Sequence, residues 1–118
     1  EGLVSPEEAL HGIHGGALET SMMLAIDPSR VRMEAARDFL PLARRMAGDN
    51  AVLGPERPVG FGWMSEDLHP EGVTGDATKA DPEHGRVYLD HLADSLVTLL
   101  SEVAATPLNI LDRSPENG

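Results

Sequence analysis

Residues 11–26 read HGIHGGALETSMMLAI, a glycine-rich loop followed by a segment of good helix formers. Three glycines within residues 11–16 favour a tight, exposed backbone path, so we expect the helix to begin near Leu18. Asp27-Pro28 ends it, because proline disfavours the helical conformation in the residue before it. These residues predict a short buried helix whose N-terminus faces the glycine loop.

Two further helices are indicated, one on each side of this segment. Ser5-Pro6-Glu7-Glu8 offers an N-cap serine, a proline at the first helical position and a glutamate that closes a capping box. Asp81-Pro82 begins the longest helix, which Pro107 ends, and residues 113–118 read as a frayed polar tail. Apolar residues three or four positions apart predict that one broad face of this helix packs on a sheet or another helix. These residues are Tyr88, Leu92, Leu96, Leu99 and Val103.

The remaining segments carry weaker signals. Residues 29–38 indicate a loose helix, and the prolines and glycines of residues 41–58 indicate a long irregular stretch. Apolar residues alternate with glycines over residues 59–64, which predicts a strand. Residues 67–81 are acidic and contain turn residues, so we expect a loop there.

The composition limits the size and the partners of the protein. The chain has 118 residues, nine Lys plus Arg against twenty Asp plus Glu, a net charge of -11 and no cysteine. Such a chain buries roughly two-thirds of its unfolded surface, which suffices for one core, so residues 1–118 are treated as part of a single domain. The acidic balance excludes a nucleic-acid or anionic membrane surface, which needs clustered Lys and Arg. Disulfide and thiolate chemistry are excluded as well.

The ends and the apolar runs bear on location. No apolar run approaches the ~20 residues of a membrane span, and the first residues have no signal-peptide pattern, so we expect a cytoplasmic protein. The chain begins with Glu1 rather than Met, which leads us to expect a processed product or a fragment of a longer chain.

The densest polar cluster lies between His11 and Ser21. Imidazole exchanges a proton near neutral pH, and a carboxylate at a helix N-terminus can orient it. His14 is therefore a candidate proton shuttle, with Glu19 as its orienting partner. Two other interpretations stay open. Either Glu19 only stabilises the helix dipole beside exposed histidines, or His11 and His14 form a metal site with Glu19.

The same cluster resembles the signature of the creatininase (creatinine amidohydrolase) family. Residues 14–24, HGGALETSMML, are similar to its His-(Ala/Gly)-Gly-x-x-Glu-Thr-Ser-x-Met-Leu pattern. Residues 28–31, PSRV, resemble its Pro-x-x-Val, and residues 72–80, GVTGDATKA, resemble its Gly-Val-x-Gly-Asp-Pro-x-x-Ala segment. The matches keep their order and spacing over residues 11–103.

The resemblance implies an α/β fold in which residues 1–118 are the C-terminal half of a three-layer α/β/α domain that forms homo-oligomers, hexamers in known members. It also implies metal-dependent hydrolysis of a cyclic or linear amide C–N bond at a dinuclear zinc or manganese site. The family's ligand segments, Glu-x-His and Asn-Gly-His, are missing here. We therefore expect the metal to be held mainly by residues outside this chain, on the N-terminal half of the same protein or on a companion chain.

Position by position, His14 matches the family histidine that gives and takes a proton at the scissile bond. Glu19 matches the glutamate of the Glu-Thr-Ser motif. The residues expected to contact the substrate are His11, Ile13 and Trp63. Members that hydrolyse creatinine carry Trp where this chain has Leu10 and Glu where it has Ile13, so we expect a different small-molecule amide as substrate.

Two alternatives to an enzyme are kept. In the first, the chain is a non-catalytic creatininase-like subunit or assembly module without a metal centre. In the second, it is a zinc-binding module that uses His11 and His14. Half of a sheet would expose strand edges and an apolar face, so we predict that this chain is poorly stable in isolation.

Overall fold

The computed structural model describes residues 4–39, 41–56 and 58–111. They are mostly helical and contain one small two-stranded sheet. The chain divides into two compact units, one that ends at Tyr88 and one that begins at Leu89. The candidate site belongs to the first unit, and the second consists largely of the last helix.

Five α-helices and two short strands follow one another along the described residues. The helices are α1 (Pro6–His11), α2 (Ala17–Ile26), α3 (Leu42–Asp49), α4 (Ser65–Leu68) and α5 (Pro82–Ala105). The strands are β1 (Asp38–Phe39) and β2 (Gly75–Asp76), which pair antiparallel with Asp38 opposite Asp76. Single 3-10 turns lie at Pro28–Arg30, Met33–Ala35, Ala77–Lys79 and Leu108–Leu111.

The predicted positions of the main helices are confirmed, whereas α2, predicted to be buried, has Ala17 and Ser21 buried but Met23 and Ile26 exposed. Helix α2 follows the glycine loop and ends before Pro28, and α5 begins at Pro82 and ends before Pro107. Helix α1 begins after Ser5, whose hydroxyl accepts the Glu8 N–H at 3.1 Å as an N-cap. The capping box does not close, because the Glu8 carboxylate accepts backbone N–H groups of two other segments.

Several weaker predictions were wrong. Residues 29–38 form 3-10 turns in place of a loose helix, and the stretch expected to be irregular contains α3. Residues 59–64 form no strand, since Val59 makes a single bridge to Leu53 and then the backbone runs on without a neighbouring strand. The predicted loop over residues 67–81 contains β2 and a 3-10 turn. The predicted tail at residues 113–118 lies outside the described residues.

The small sheet positions the glycine loop. Thr74, the residue before β2, forms an antiparallel bridge with His14, while β2 pairs with β1. The loop, the Thr74–Asp76 segment and β1 therefore lie side by side in that order. Apart from the isolated bridge between Leu53 and Val59, this is the extent of β-structure among the described residues. The three-layer α/β/α architecture and the assignment to a C-terminal half stay predictions.

The core of the first unit is small. Its buried apolar residues are Ala17, Phe39, Ala43, Leu68 and Ala77. Phe39 also meets the His69 ring edge-to-face, with centroids 5.5 Å apart. In the second unit, Leu92, Leu96, Leu99 and Val103 of α5 each keep more than half of their surface accessible. The packing partner predicted for this stripe is not found among the described residues.

A search of the helices in the described ranges finds none with the length and apolar content that a membrane crossing requires.

Candidate functional site

His14 is fixed by its backbone to Thr74. The His14 N–H donates to the Thr74 hydroxyl at 3.0 Å and to the Thr74 carbonyl at 3.2 Å, and the Thr74 N–H donates to the His14 carbonyl at 2.7 Å. Thr74 is completely buried, whereas the His14 side chain is 56% exposed. The imidazole therefore projects toward solvent from a backbone that is held firmly by a buried residue.

Glu19 lies in the first turn of α2 and reaches back to the loop before it. Its Oε2 accepts the Gly15 N–H and lies 3.4 Å from His14 Nδ1. Gly15 has a φ of +70°, which glycine adopts readily and which turns the loop back toward the helix N-terminus. A helix N-terminus also favours a carboxylate electrostatically. The structure thus brings together the two residues predicted to be catalytic.

The pair has the arrangement of a histidine oriented by a carboxylate. Because Nδ1 faces Glu19, Nε2 is the ring nitrogen left to exchange a proton with another molecule. The 3.4 Å separation exceeds the length of an ordinary N–H···O hydrogen bond. Catalytic hydrogen bonds are often long before substrate binds and shorten in the complex. Both side chains are about half exposed, so a small molecule can reach them.

The two residues after Glu19 secure the start of α2. The Thr20 hydroxyl donates to the Gly15 carbonyl at 3.0 Å, so the loop is held through both its N–H and its C=O. Ser21 is buried, and its hydroxyl donates to the Ala17 carbonyl and accepts the Asp81 N–H at 2.9 Å. The Glu-Thr-Ser triplet therefore joins the loop, α2 and the beginning of α5.

Glu8 is a functional-site residue that the sequence analysis did not identify. Its Oε1 accepts the Ala17 N–H at 2.6 Å and its Oε2 accepts the Asp76 N–H at 2.9 Å. In the sequence Glu8 had the position of a capping-box residue, and nothing nearby indicated a partner 68 residues away. Thr74 and Asp76 were noticed only as part of a resembling motif, without a role.

His11 and Ile13 line a cavity of about 500 Å³ between α1, α3 and residues 50–58. The cavity walls are predominantly apolar and include Ala43 and Leu53. Ile13 also lines a smaller cavity of about 180 Å³ together with Glu19. The predicted substrate contacts at His11 and Ile13 therefore stay predictions, with a cavity beside both residues and His14 next to Ile13 in the chain.

Trp63 is not among the residues that line these cavities. Its indole N–H donates to the Pro55 carbonyl at 3.0 Å, and Pro55 forms part of the wall of the larger cavity. Trp63 is thus hydrogen-bonded to a residue of the cavity wall without lining the cavity. Its predicted contact with substrate stays a prediction.

The described residues do not fit a metal centre. Across residues 4–39, 41–56 and 58–111 there is no group of three or more His, Asp or Glu side chains that could hold an ion. His11 ends α1, whereas His14 is fixed to Thr74, and Glu19 is the one carboxylate that the described residues place in ion-pair contact with His14. The interpretation of His11 and His14 as a zinc module therefore finds no support in the geometry.

Two side chains in the first unit have shifted pKa values. Burial raises the pKa of Tyr88, and the negative charge of Glu8 raises it further. Hydrogen bonds from the Ser29 hydroxyl, then from Arg30, and from the Ser29 N–H lower the pKa of Asp27 at the end of α2.

Comparison with known protein families identifies the class of the protein. The family model of creatininase, described as creatinine amidohydrolase, matches residues 1–100. No curated protein and no solved structure gives a match. The chain belongs to the creatininase family, as its sequence signature predicted. Membership in this family indicates a hydrolase of the amidohydrolase type.

Proposed function

We propose that the protein is a metal-dependent amidohydrolase that cleaves a cyclic or linear amide C–N bond, with His14 as the proton shuttle. The observation that carries the proposal is the pairing of His14 Nδ1 with Glu19 Oε2 at 3.4 Å, on a loop and helix held by buried hydrogen bonds. Family membership supports the reaction class. Leu10 and Ile13, at positions where creatinine-hydrolysing members differ, favour an amide other than creatinine.

The chemistry that this chain supplies is proton transfer. In amide hydrolysis, water adds its oxygen to the carbonyl carbon, the C–N bond breaks, and the departing nitrogen must receive a proton. His14 accepts the proton lost by the water and gives it to that nitrogen through Nε2. Glu19 holds the ring by Nδ1 and stabilises the imidazolium that forms between the two transfers.

Other parts of the active assembly belong to the same proposal. The described residues do not form a metal centre, so we place the dinuclear zinc or manganese site on residues outside this chain. Those residues would come from an N-terminal half of the same protein or from a companion chain, which also completes a three-layer α/β/α domain in a hexamer. A cytoplasmic location is part of this proposal as well.

The test is metal analysis and an amide-hydrolysis screen on the intact protein that carries this chain. The panel contains cyclic amides, formyl amides and creatinine, and the variants are His14→Ala, Glu19→Gln and His91→Ala. Glu19→Gln keeps an oxygen for the Gly15 N–H and removes the charge beside His14. His91, an exposed histidine of α5, is the matched control.

We expect about two metal ions per intact protein. His14→Ala should retain them and lower kcat by about 100- to 10,000-fold. Glu19→Gln should lower kcat by a smaller factor, and His91→Ala should match the parent. No turnover of any amide would overturn the proposal, and the absence of metal as well would favour a non-catalytic subunit or assembly module without a metal centre. Full activity in His14→Ala would overturn the role of His14 as the proton shuttle.

A further inference from the structure

The carboxylate of Glu8 joins three segments of the first unit. It projects from α1, and its two oxygens accept the N–H of Ala17, the first residue of α2, and the N–H of Asp76 in β2. Hydrogen bonds from N–H donors to an ionised acceptor are stronger than those between neutral groups. One side chain therefore fixes the position of α2 relative to β2, at a point between the two elements.

Three glycines leave the space that this carboxylate occupies. A Cβ on Gly12 would approach Glu8 Cδ at 2.5 Å, and a Cβ on Gly75 would approach Glu8 Oε1 at 2.7 Å. A Cβ on Gly16 would collide with the same oxygen. Gly75 also has a φ of +143°, which side-chain-bearing residues rarely adopt. The lack of side chains at these three positions thus allows the backbone to approach the Glu8 carboxylate closely.

Each of the two donors is linked to one member of the His14 and Glu19 pair. Ala17 begins the helix that carries Glu19, two residues further on. Asp76 follows Thr74 by two residues, and Thr74 holds the backbone of His14. A shift of Ala17 relative to Asp76 would therefore move the start of the helix that carries Glu19 relative to the strand segment that holds His14.

From these contacts we infer that Glu8 is a positioning residue for the proton transfer. It sets the separation of His14 from Glu19 through backbone N–H groups, without a hydrogen bond to either side chain. The inference rests on the proposed function for its kinetic consequence. Its geometric content, the dependence of the His14–Glu19 separation on the Glu8 carboxylate, is independent of any reaction.

The principal variant is Glu8→Gln, in which an NH₂ group replaces one of the two accepting oxygens and confronts an N–H donor. The matched control is Glu7→Gln, the neighbouring residue of α1, whose carboxylate pairs with Arg44 at 2.6 Å on the surface. We expect Glu8→Gln to lower kcat about 10- to 100-fold with KM unchanged, because misplacement by about 1 Å is enough for such a loss. Glu7→Gln should leave both constants at the parent values. Assays are run well below the unfolding temperature of each variant, so that a purely structural role would leave kcat unchanged.

A second variant displaces the Glu8 carboxylate without changing Glu8 itself. Gly16→Ala retains Glu8 and places a methyl group on its Oε1, and it should produce the same loss of kcat. Because the Gly16 Cβ meets the same Glu8 oxygen and also the Gly75 Cα at 3.1 Å, the double variant should lose less than the sum of the two single variants. Additive losses would contradict the inference.

Crystal structures separate this inference from the proposed function. In the parent, Glu8 must contact both Ala17 and Asp76, and in Glu8→Gln or Gly16→Ala the distance from His14 Nδ1 to Glu19 Oε2 must change. A parent structure without these contacts, or an unchanged distance in a folded variant, overturns the inference whether or not the protein is active. An inactive parent with the expected geometry would refute only the proposed function.

Discussion

Gly85 of α5 lies against the backbone carbonyl of Ser21 in α2, so that these two helices cross with main chain touching main chain. A Cβ on Gly85 would collide with the Ser21 carbonyl oxygen and lie 2.5 Å from its carbonyl carbon. The same crossing carries the hydrogen bond from the Asp81 N–H to the Ser21 hydroxyl. Close packing thus explains a glycine at the fourth residue of this long helix.

Gly85→Ala should destabilise the protein although alanine favours helix. Overpacking costs about 1 to 3 kcal/mol, and the gain in helix propensity of about 1 kcal/mol offsets only part of it. We expect urea unfolding to show a lower free energy of unfolding. Gly48→Ala in α3 is the control, because a Cβ there meets nothing within 4 Å, and it should be stabilising by about 0.5 to 1 kcal/mol. Equal effects at both glycines would show that the crossing is not tight.

Ser21→Ala should lower the free energy of unfolding by about 1 to 3 kcal/mol, because it leaves the Asp81 N–H without its acceptor in a buried place. The comparison is Ser101→Ala on the exposed part of α5. The Ser101 hydroxyl also donates to a carbonyl four residues earlier, at 2.8 Å, but in contact with water. Its effect should stay within about 0.5 kcal/mol of zero. If Ser21→Ala is as mild as Ser101→Ala in chemical unfolding, the link between α2 and α5 is not stabilising.

Tyr88 reports on the charge of Glu8. Burial first and the Glu8 carboxylate second raise the pKa of Tyr88 above its ordinary value of 10.0. Glu8→Gln should therefore lower the pKa of Tyr88 but leave it above 10.0, which the difference in tyrosinate absorbance between each protein and its Tyr88→Phe counterpart measures. An unchanged pKa in Glu8→Gln would place the carboxylate away from Tyr88.

The same raised pKa makes the stability of the fold dependent on alkaline pH. A group whose pKa is raised by folding contributes stability below its unfolded pKa and loses it as the pH rises through the folded value. The Tyr88 contribution should therefore be complete below pH 10.0 and decline above it. Thermal unfolding of Tyr88→Phe should lack this component, and an identical alkaline profile in both proteins would contradict the assignment.

Asp27 should give the opposite dependence, in acid. Hydrogen bonds from Ser29 and Arg30 lower the pKa of Asp27 below its ordinary value of 3.8, so its contribution is present above pH 3.8 and is lost as the pH falls through the folded pKa. Asp27→Asn should therefore destabilise the protein near neutral pH and have little effect in strong acid. Ser29→Ala should move the pKa of Asp27 back toward 3.8, measured by carboxyl NMR, and the absence of that movement would exclude the Ser29 hydroxyl as the main cause.

The elements that depend on local signals could be predicted from the sequence. Helix α2 has good helix formers that end at Pro28, and α5 has a regular apolar period between two prolines. Helix α3 was missed because Pro41 was interpreted as a helix breaker, whereas it is the N-cap residue of that helix. The alternation of residues 59–64 predicted a strand, yet alternation specifies only the faces of a strand and not whether another strand is available to pair with it.

The candidate site divides in the same way. His14 and Glu19 lie five residues apart, so a loop and one helical turn suffice to bring them together, and the sequence predicted the pair. Glu8 and Thr74 were missed as contributors because their contacts span 68 and 60 residues. Such contacts leave no periodic pattern, and the capping-box position of Glu8 gave no sign of the contact that it makes with Asp76.

The bonds that Thr74 and Asp76 make to the beginning of the chain also determine when the site can form. Closing a loop of this length costs entropy that only the finished contacts repay, so long-range pairings of this kind are slow to form during folding. On the ribosome, the glycine loop emerges about sixty residues before its partner strand. Helix α2 can begin to form in that interval, whereas the paired histidine and glutamate acquire their final support only after residue 76 has left the exit tunnel.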